Sequence, residues 1–193
     1  DGGNCRIQKF TSKGKFIAKW GSEGNGDSQF NSPYGIAIDR SGDIYVTDYV
    51  WVKKFTSKGQ FIAKWGRDWG SENGEFVYPR GIAIDNSGNV YIVDSGNFRI
   101  QKLTSNGQFI AKWGSLGTGV GQFVGQEGIA VDSNGYVYVA DTWNSRIQRF
   151  TSDGQFIAKW GEEGDGDGQF YGPAGIAIDS SGHVYVADTY IHR

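Results

Sequence analysis

Four aspartates recur at almost constant spacing: Asp39, Asp85, Asp132 and Asp179, separated by 46, 47 and 47 residues. Each closes a GIAID or GIAVD segment and opens a D-x-S-G or D-S-N-G turn signal. Carboxylates gathered into one ring would make a hard oxygen site of the kind that takes Ca²⁺. A carboxylate that caps its own turn accounts for the same residue in every copy, and that is the expected role. The segment Glu162 to Gly168, EEGDGDG, has the composition of a calcium loop but lacks its terminal bidentate glutamate.

Other catalytic chemistry is thinly represented. The two histidines, His183 in an expected hairpin turn and His192, have no metal-ligand spacing. Cys5 is the single cysteine, which excludes an internal disulfide framework and a cysteine-based zinc site. No flanking histidine or cationic cluster would activate it as a nucleophile. On these grounds neither a catalytic residue, a metal nor a cofactor is expected.

A ligand site on a repeated scaffold should lie where the copies disagree. The residue before each GIAI or GIAV is Tyr34, Arg80, Glu127 or Ala174, four chemistries at one structural position. Aromatic residues that do not repeat are Trp51, Trp69, Trp143, Tyr171 and Tyr190. The expected ligand-binding set is therefore Tyr34, Trp51, Trp69, Arg80, Glu127, Trp143, Tyr171 and Tyr190. Aromatic rings among carboxylates and glycine suit stacking on a glycan or anchoring a protein partner. Segments 21–33, 66–80, 114–127 and 161–173 carry ten carboxylates against only Arg67 and Arg80. Such a face repels phosphates, so no nucleic-acid partner is expected there.

The elements that must position these residues follow from the repeat. Each unit contains four short apolar or alternating runs, typified by GIAID, VYVAD, RIQKF and QFIAKW, with turn signals between them. No helical periodicity of useful length appears. Four strands in about 47 residues is the pattern of a β-propeller blade. GIAID, apolar until its last residue, is expected to be innermost and buried on both faces. The fold class is thus all-β, a single propeller domain over residues 1–193. Its units fall approximately at 33–65, 79–113 and 126–160, with a split unit made of 1–20 and 172–193. The unit after Asp48 departs from the others, reading YVWVKKF where its sisters carry Asn-x-Arg. The recurring Asp-x-x-Asn-x-Arg at Asp1/Asn4/Arg6, Asp94/Asn97/Arg99 and Asp141/Asn144/Arg146 is expected to brace loops or form a blade-to-blade ion pair rather than recognise a ligand.

The series P-x-G-I-A-I-D, V-Y-V-A-D-T and N-x-R-I-Q-x-F resembles the NHL repeat. Its clearest copies are VYVADTWNSRIQRF (Val137 to Phe150) and GPAGIAIDSSGHVYVADT (Gly172 to Thr189). The resemblance implies a propeller, commonly of six blades, whose relatives bind RNA, proteins or other ligands. A minority of them are metal-dependent enzymes. The lyase-type enzymes of that family rely on histidine metal ligands, from which this chain departs. The function expected is a non-enzymatic module that binds a protein or glycan through its acidic, aromatic loop face. The alternatives are a metal-dependent hydrolase or lyase with its site in the central channel, and an RNA-binding NHL domain.

Composition sets the remaining bounds. The 193 residues include 31 glycines, 15% aromatic residues and 3 prolines, with a net charge of −2 and no charged tail. No apolar run is long enough to span a membrane as a helix. There is no methionine and residue 1 is Asp, so a processed or excised piece, extracellular or at the cell surface, is expected. Residues 6–20 supply only third and fourth strands, and residues 175–188 only first and second. These halves could complete a blade within one chain, between two chains in self-association, or in a larger ring that includes missing repeats.

Overall fold

Short runs rich in Val, Ile, Tyr and Phe, punctuated by glycine turns, fold as strands in the computed structural model, which describes residues 1–189. Three complete sheets each have four antiparallel strands in sequence order. The first holds β3 (Pro33–Ile38), β4 (Ile44–Asp48), β5 (Trp51–Phe55) and β6 (Phe61–Gly66). The second holds β7 (Pro79–Ile84), β8 (Val90–Asp94), β9 (Arg99–Leu103) and β10 (Phe109–Trp113). The third holds β11 (Ile129–Val131), β12 (Val137–Asp141), β13 (Arg146–Phe150) and β14 (Phe156–Trp160). Two-stranded sheets flank them: β1 (Ile7–Phe10) with β2 (Phe16–Trp20), and β15 (Pro173–Ile178) with β16 (Val184–Asp188). The architecture is that of consecutive propeller blades. Among the described residues the end pairs β1–β2 and β15–β16 remain separate sheets, and no closed sheet forms.

The core lies between blades. Tyr45, Val52 and Phe76 pack against Ile82, Val90, Ile92 and Leu103 of the next blade. The same layer recurs where Tyr91, Val93 and Ile100 meet Phe123, Ile129, Val139 and Phe150. Burial corrects one expectation. Every residue of β4, β8 and β12 is buried, whereas β3, β7 and β11 are buried only in part. The doubly covered strand is the second, because it has a strand on either side and a blade on either face. The innermost strand turns one edge to the channel.

Glycine sets how closely blades approach. A Cβ on Gly35 would lie 2.3 Å from the Arg80 carbonyl oxygen, and one on Gly81 would lie 2.4 Å from that of Glu127. One on Gly128 would lie 2.0 Å from that of Ala174. Only glycine allows inner strands of neighbouring blades this contact. It leaves the rim residue of each following blade directly beside its predecessor.

A buried carboxylate ties each blade to the loop that precedes it. The β12–β13 register places Asp141 opposite Arg146. Asp141 Oδ1 accepts the Val124 N–H at 2.9 Å, and Oδ2 accepts Arg146 Nε at 2.7 Å. The same guanidinium donates to the carbonyls of Thr118, Gly119 and Gln122, so one ion pair holds a whole inter-blade loop. Asp94 and Arg99 repeat this, with Arg99 donating to the carbonyls of Ser71, Glu72 and Glu75.

The divergent blade solves the problem differently. Trp51 stands at the arginine's register, opposite Asp48. Lys53, two residues on and fully buried, reaches Asp48 Oδ2 at 2.9 Å and the carbonyls of Gly26 and Gln29. The irregular unit therefore keeps the brace with a different cation.

Removing the carboxylate would strand a buried guanidinium. Asp141→Ala is expected to destabilise the fold by about 3–5 kcal/mol, a typical cost for breaking a buried pair. Urea unfolding, compared with Asp27→Ala at an exposed loop carboxylate, measures this difference.

Candidate functional site at the channel rim

Three of the four rim positions meet in space. Tyr34, Arg80 and Glu127 enter from three successive blades, carried there by the close glycine contacts. Arg80 Nη1 lies 2.6 Å from Glu127 Oε1, and the Tyr34 hydroxyl donates to Glu127 Oε2 at 2.7 Å. The Arg80 guanidinium also stands 5.0 Å from the centre of the Tyr34 ring. One carboxylate thus receives a cation and a phenol, one on each oxygen.

Tyr34 and Glu127 of the cluster border a cavity of about 310 Å³ between the inner strands. Its wall is built by the glycine–isoleucine pairs that start the inner strands, with Tyr34, Glu127 and Ala174 at its edge. An apolar wall with few convergent polar groups is the usual form of a small-molecule site. Burial pushes the Tyr34 hydroxyl above the ordinary phenol value of 10.0, and the bond and charge of Glu127 push it further, against the opposing Arg80. Tyr34 therefore remains a proton donor throughout the neutral range.

Local sequence explains how Glu127 is held. Its blade carries Gln126 where the others carry Pro33, Pro79 and Pro173. Strand β11 begins only at Ile129, and Glu127 rests on irregular backbone, its N–H donating to the Ala140 carbonyl. The Gln126 amide is fully buried, and neither of its polar atoms finds a partner among the described residues.

The other expected site residues are dispersed. Trp69 packs edge-on against Tyr49 and Tyr78, which form a small aromatic cluster beside Arg80. The ring of Trp51 lies 5.1 Å from Lys64 Nζ. Trp143 and Tyr171 line a separate surface pocket with Ser145 and Glu163. Tyr190 lies outside the described residues, as does His192. Sequence comparison of the copies found the rim trio, but it missed Lys53, whose signal was a lysine at the register of Gln101 and Gln148.

At the opposite end of the channel, Asp85, Asp132 and Asp179 line a second cavity of about 210 Å³. Their carboxylates are spent on their own turns. Asp85 Oδ1 accepts the N–H groups of Ser87 and Asn89, and Oδ2 accepts the Asn89 amide and the Tyr91 hydroxyl. Asp132 and Asp179 repeat the turn pattern. Burial alone would raise the Asp85 carboxyl, but the bonds from Asn89, Tyr91 and Ser87 outweigh it and hold it low. The His183 ring bond, with its backbone N–H, brings Asp179 down to about 2. Among the described residues no three His, Cys, Asp or Glu side chains form a group that could hold a metal. The donor set for the metal of the hydrolase or lyase alternative does not fit these residues.

The fold defines a propeller-type array of blades with a polar cluster at its channel rim. The family model described as NHL repeat matches residues 76–103, 127–150 and 170–193, and this chain is an NHL-repeat protein. No curated protein matches the sequence. Among solved structures it is similar to a catalytically inactive virginiamycin B lyase from Staphylococcus aureus, determined with quinupristin. That match has 16% identity and a TM-score of 0.70, covering 97% of this chain and 57% of that one. A streptogramin B lyase matches at 17% identity and a TM-score of 0.65, with coverages of 98% and 63%. A gluconolactonase from Xanthomonas campestris matches at 15% identity and a TM-score of 0.65, with coverages of 97% and 63%. The chain thus spans about three-fifths of the length of the structures it resembles.

These comparisons correct the expectation of a non-enzymatic module that binds a protein or glycan. Proteins that share this fold over nearly the whole chain include two lyases and a gluconolactonase by name. The sequence puts Tyr34, Arg80 and Glu127 in one expected ligand-binding set without joining them to one another. Folding joins them into one hydrogen-bonded cluster.

Replacing Glu127 by Gln removes the charge that helps to raise the Tyr34 hydroxyl. The Tyr34 pKa is then expected to move down towards 10.0. Alkaline titration followed by NMR of labelled tyrosine checks the shift, and Tyr34→Phe identifies the resonance.

Proposed function

We propose that this chain forms the catalytic rim of a hydrolase or lyase that cleaves an ester-type bond. The observation that carries the proposal is the bonded convergence of Tyr34, Arg80 and Glu127 from three blades, with Tyr34 and Glu127 lining the cavity of about 310 Å³. Glu127 is the general base, Tyr34 the general acid, and Arg80 the charge that holds a carbonyl oxygen. The name gluconolactonase gives a lactone as the substrate class of one structurally similar protein. A lactone or related ester is the class proposed for this chain.

Geometry supplies a closed proton cycle. In hydrolysis, Glu127 takes a proton from water as the oxygen adds to the carbonyl carbon, and Arg80 neutralises the oxyanion. As the C–O bond breaks, Tyr34 gives its proton to the leaving alkoxide. The Tyr34–Glu127 hydrogen bond then returns the proton to the phenolate and restores both groups. In elimination, Glu127 takes a carbon-bound proton and Tyr34 again protonates the departing oxygen. The cycle as drawn uses the side chains of Tyr34, Arg80 and Glu127.

Assay of the purified chain against a panel of lactones and aryl esters tests the proposal. Tyr34→Phe and Glu127→Gln are each expected to lower kcat/KM by about 10²-fold or more, with melting temperature unchanged. Activity that requires protonated Tyr34 is full below its pKa and lost as pH rises through it, above 10.0. Tyr34→Phe should abolish that alkaline limb. Turnover that is absent from the whole panel, or unaffected by both substitutions, would refute the assignment.

A further inference from the structure

We propose that a small cavity beside Arg80 is the acyl pocket of the candidate site. It takes a short apolar group, of about two or three carbons, carried on the carbonyl carbon of an ester. The pocket deepens the catalytic reading and rests on it for the roles of Tyr34 and Arg80. It lies at the boundary of the first two complete blades, and every residue lining it falls between Ser32 and Arg80.

The cavity measures about 70 Å³ and is lined by Ser32, Tyr34, Tyr49, Tyr78, Pro79 and Arg80. Tyr34 also lines the larger cavity of about 310 Å³, where Glu127 joins it. The trio therefore stands between two compartments, with Arg80 on the small one, Glu127 on the large one and Tyr34 on both. In the proposed reaction Arg80 holds the carbonyl oxygen, Glu127 activates water and Tyr34 protonates the leaving oxygen. The substituent on the carbonyl carbon then points into the small cavity, while water and the leaving group share the large one.

Two departures from the repeat build this wall. The second and third complete blades carry a short 3₁₀ turn between their second and third strands, at Ser95–Asn97 and Thr142–Asn144. The first has only Tyr49 and Val50 between β4 and β5, and Tyr49 becomes part of the cavity. Tyr78 stands where the other copies carry Ser32, Gly125 and Gly172, and its φ is 48°. Gly125 has φ 63°, so the backbone there suits glycine, and a bulky ring holds it only under strain.

Strain of this kind clusters at ligand sites, where the surrounding structure over-determines it. The surroundings here do so. The Tyr78 N–H donates to the Tyr49 carbonyl at 3.0 Å. The Trp69 ring packs edge-on against both tyrosines, its centre 4.7 Å from that of Tyr78 and 5.3 Å from that of Tyr49. A tyrosine kept at a glycine position, and fixed there by two neighbours, gives the cavity a rigid side.

Volume and chemistry define the group that fits. A water molecule occupies about 30 Å³ in the liquid, so the cavity has room for about two or three groups of that size. A benzene ring fills a cavity on the order of 150 Å³ and is too large. Tyr34, Tyr49, Tyr78 and the buried Pro79 make the wall mainly apolar, which favours methyl and methylene over charged or hydroxylated groups. Propionyl and butyryl groups fit, whereas hexanoyl and benzoyl groups exceed the volume.

The test compares para-nitrophenyl propionate, butyrate, hexanoate and benzoate as substrates of the wild-type chain and of Tyr78→Gly. Two of the other copies carry glycine at this position, so the variant should melt no lower than the wild type. The wild type is expected to favour propionate and butyrate by about 10-fold or more in kcat/KM, and Tyr78→Gly to erase or reverse that preference. Binding of the corresponding primary amides, followed by NMR at the Tyr49 and Tyr78 rings, should give the same ranking without turnover. Amides bound in that order with no ester turned over would support the pocket and refute the catalytic reading. Turnover with no length preference, or with one that Tyr78→Gly leaves unchanged, would overturn the pocket and spare that reading. Neither binding nor turnover would overturn both.

Discussion

A buried carboxylate at the end of each second strand organises everything outward of it. Asp94 and Asp141 sit opposite the first residue of the third strand, so the ladder register itself delivers Arg99 and Arg146 to them. Their remaining oxygen lone pairs take backbone N–H groups from the preceding inter-blade loop, and the arginines take that loop's carbonyls. An ion pair buried this deeply is tolerable only when every donor and acceptor is satisfied. Here the loop supplies what the pair lacks, and the pair supplies what the loop lacks. Glycine-rich segments that would otherwise be mobile become fixed supports for the channel rim.

The exception shows how strong that requirement is. With Trp51 at the arginine's register, the blade from Pro33 to Gly66 would leave Asp48 buried and alone. Lys53 enters from two residues further along, on the same face of the strand because side chains alternate with period two. Its ammonium then meets the carboxylate and two loop carbonyls. A lysine is a point charge and not a planar fork, so it braces fewer loop atoms than Arg99 does. The Tyr49, Trp69 and Tyr78 cluster, with Tyr49 and Tyr78 at positive φ, occupies the loop space on this blade.

The rim cluster depends on two further features of the repeat. Glycine at Gly35, Gly81 and Gly128 removes the Cβ that would hold blades apart, so residues at one structural position in successive blades come within bonding distance. Loss of proline at Gln126 then frees the backbone of Glu127 from the strand. A repeat that is uniform in its scaffold can thereby present three different side chains to one point.

Much of this was written in the local pattern. Four strands per unit, their order, the turn aspartates and the bracing role of Asp-x-x-Asn-x-Arg follow from alternation and turn chemistry, which act over a few residues. Tyr34, Arg80 and Glu127 could be singled out because copies that agree elsewhere disagree there. Their union could not, since it joins residues 46 and 47 positions apart through blade packing. Which strand is doubly buried, how Lys53 replaces an arginine, and whether the two half-blades meet depend on curvature and close packing. Those are sums over many contacts between distant segments, and only the tertiary structure decides them.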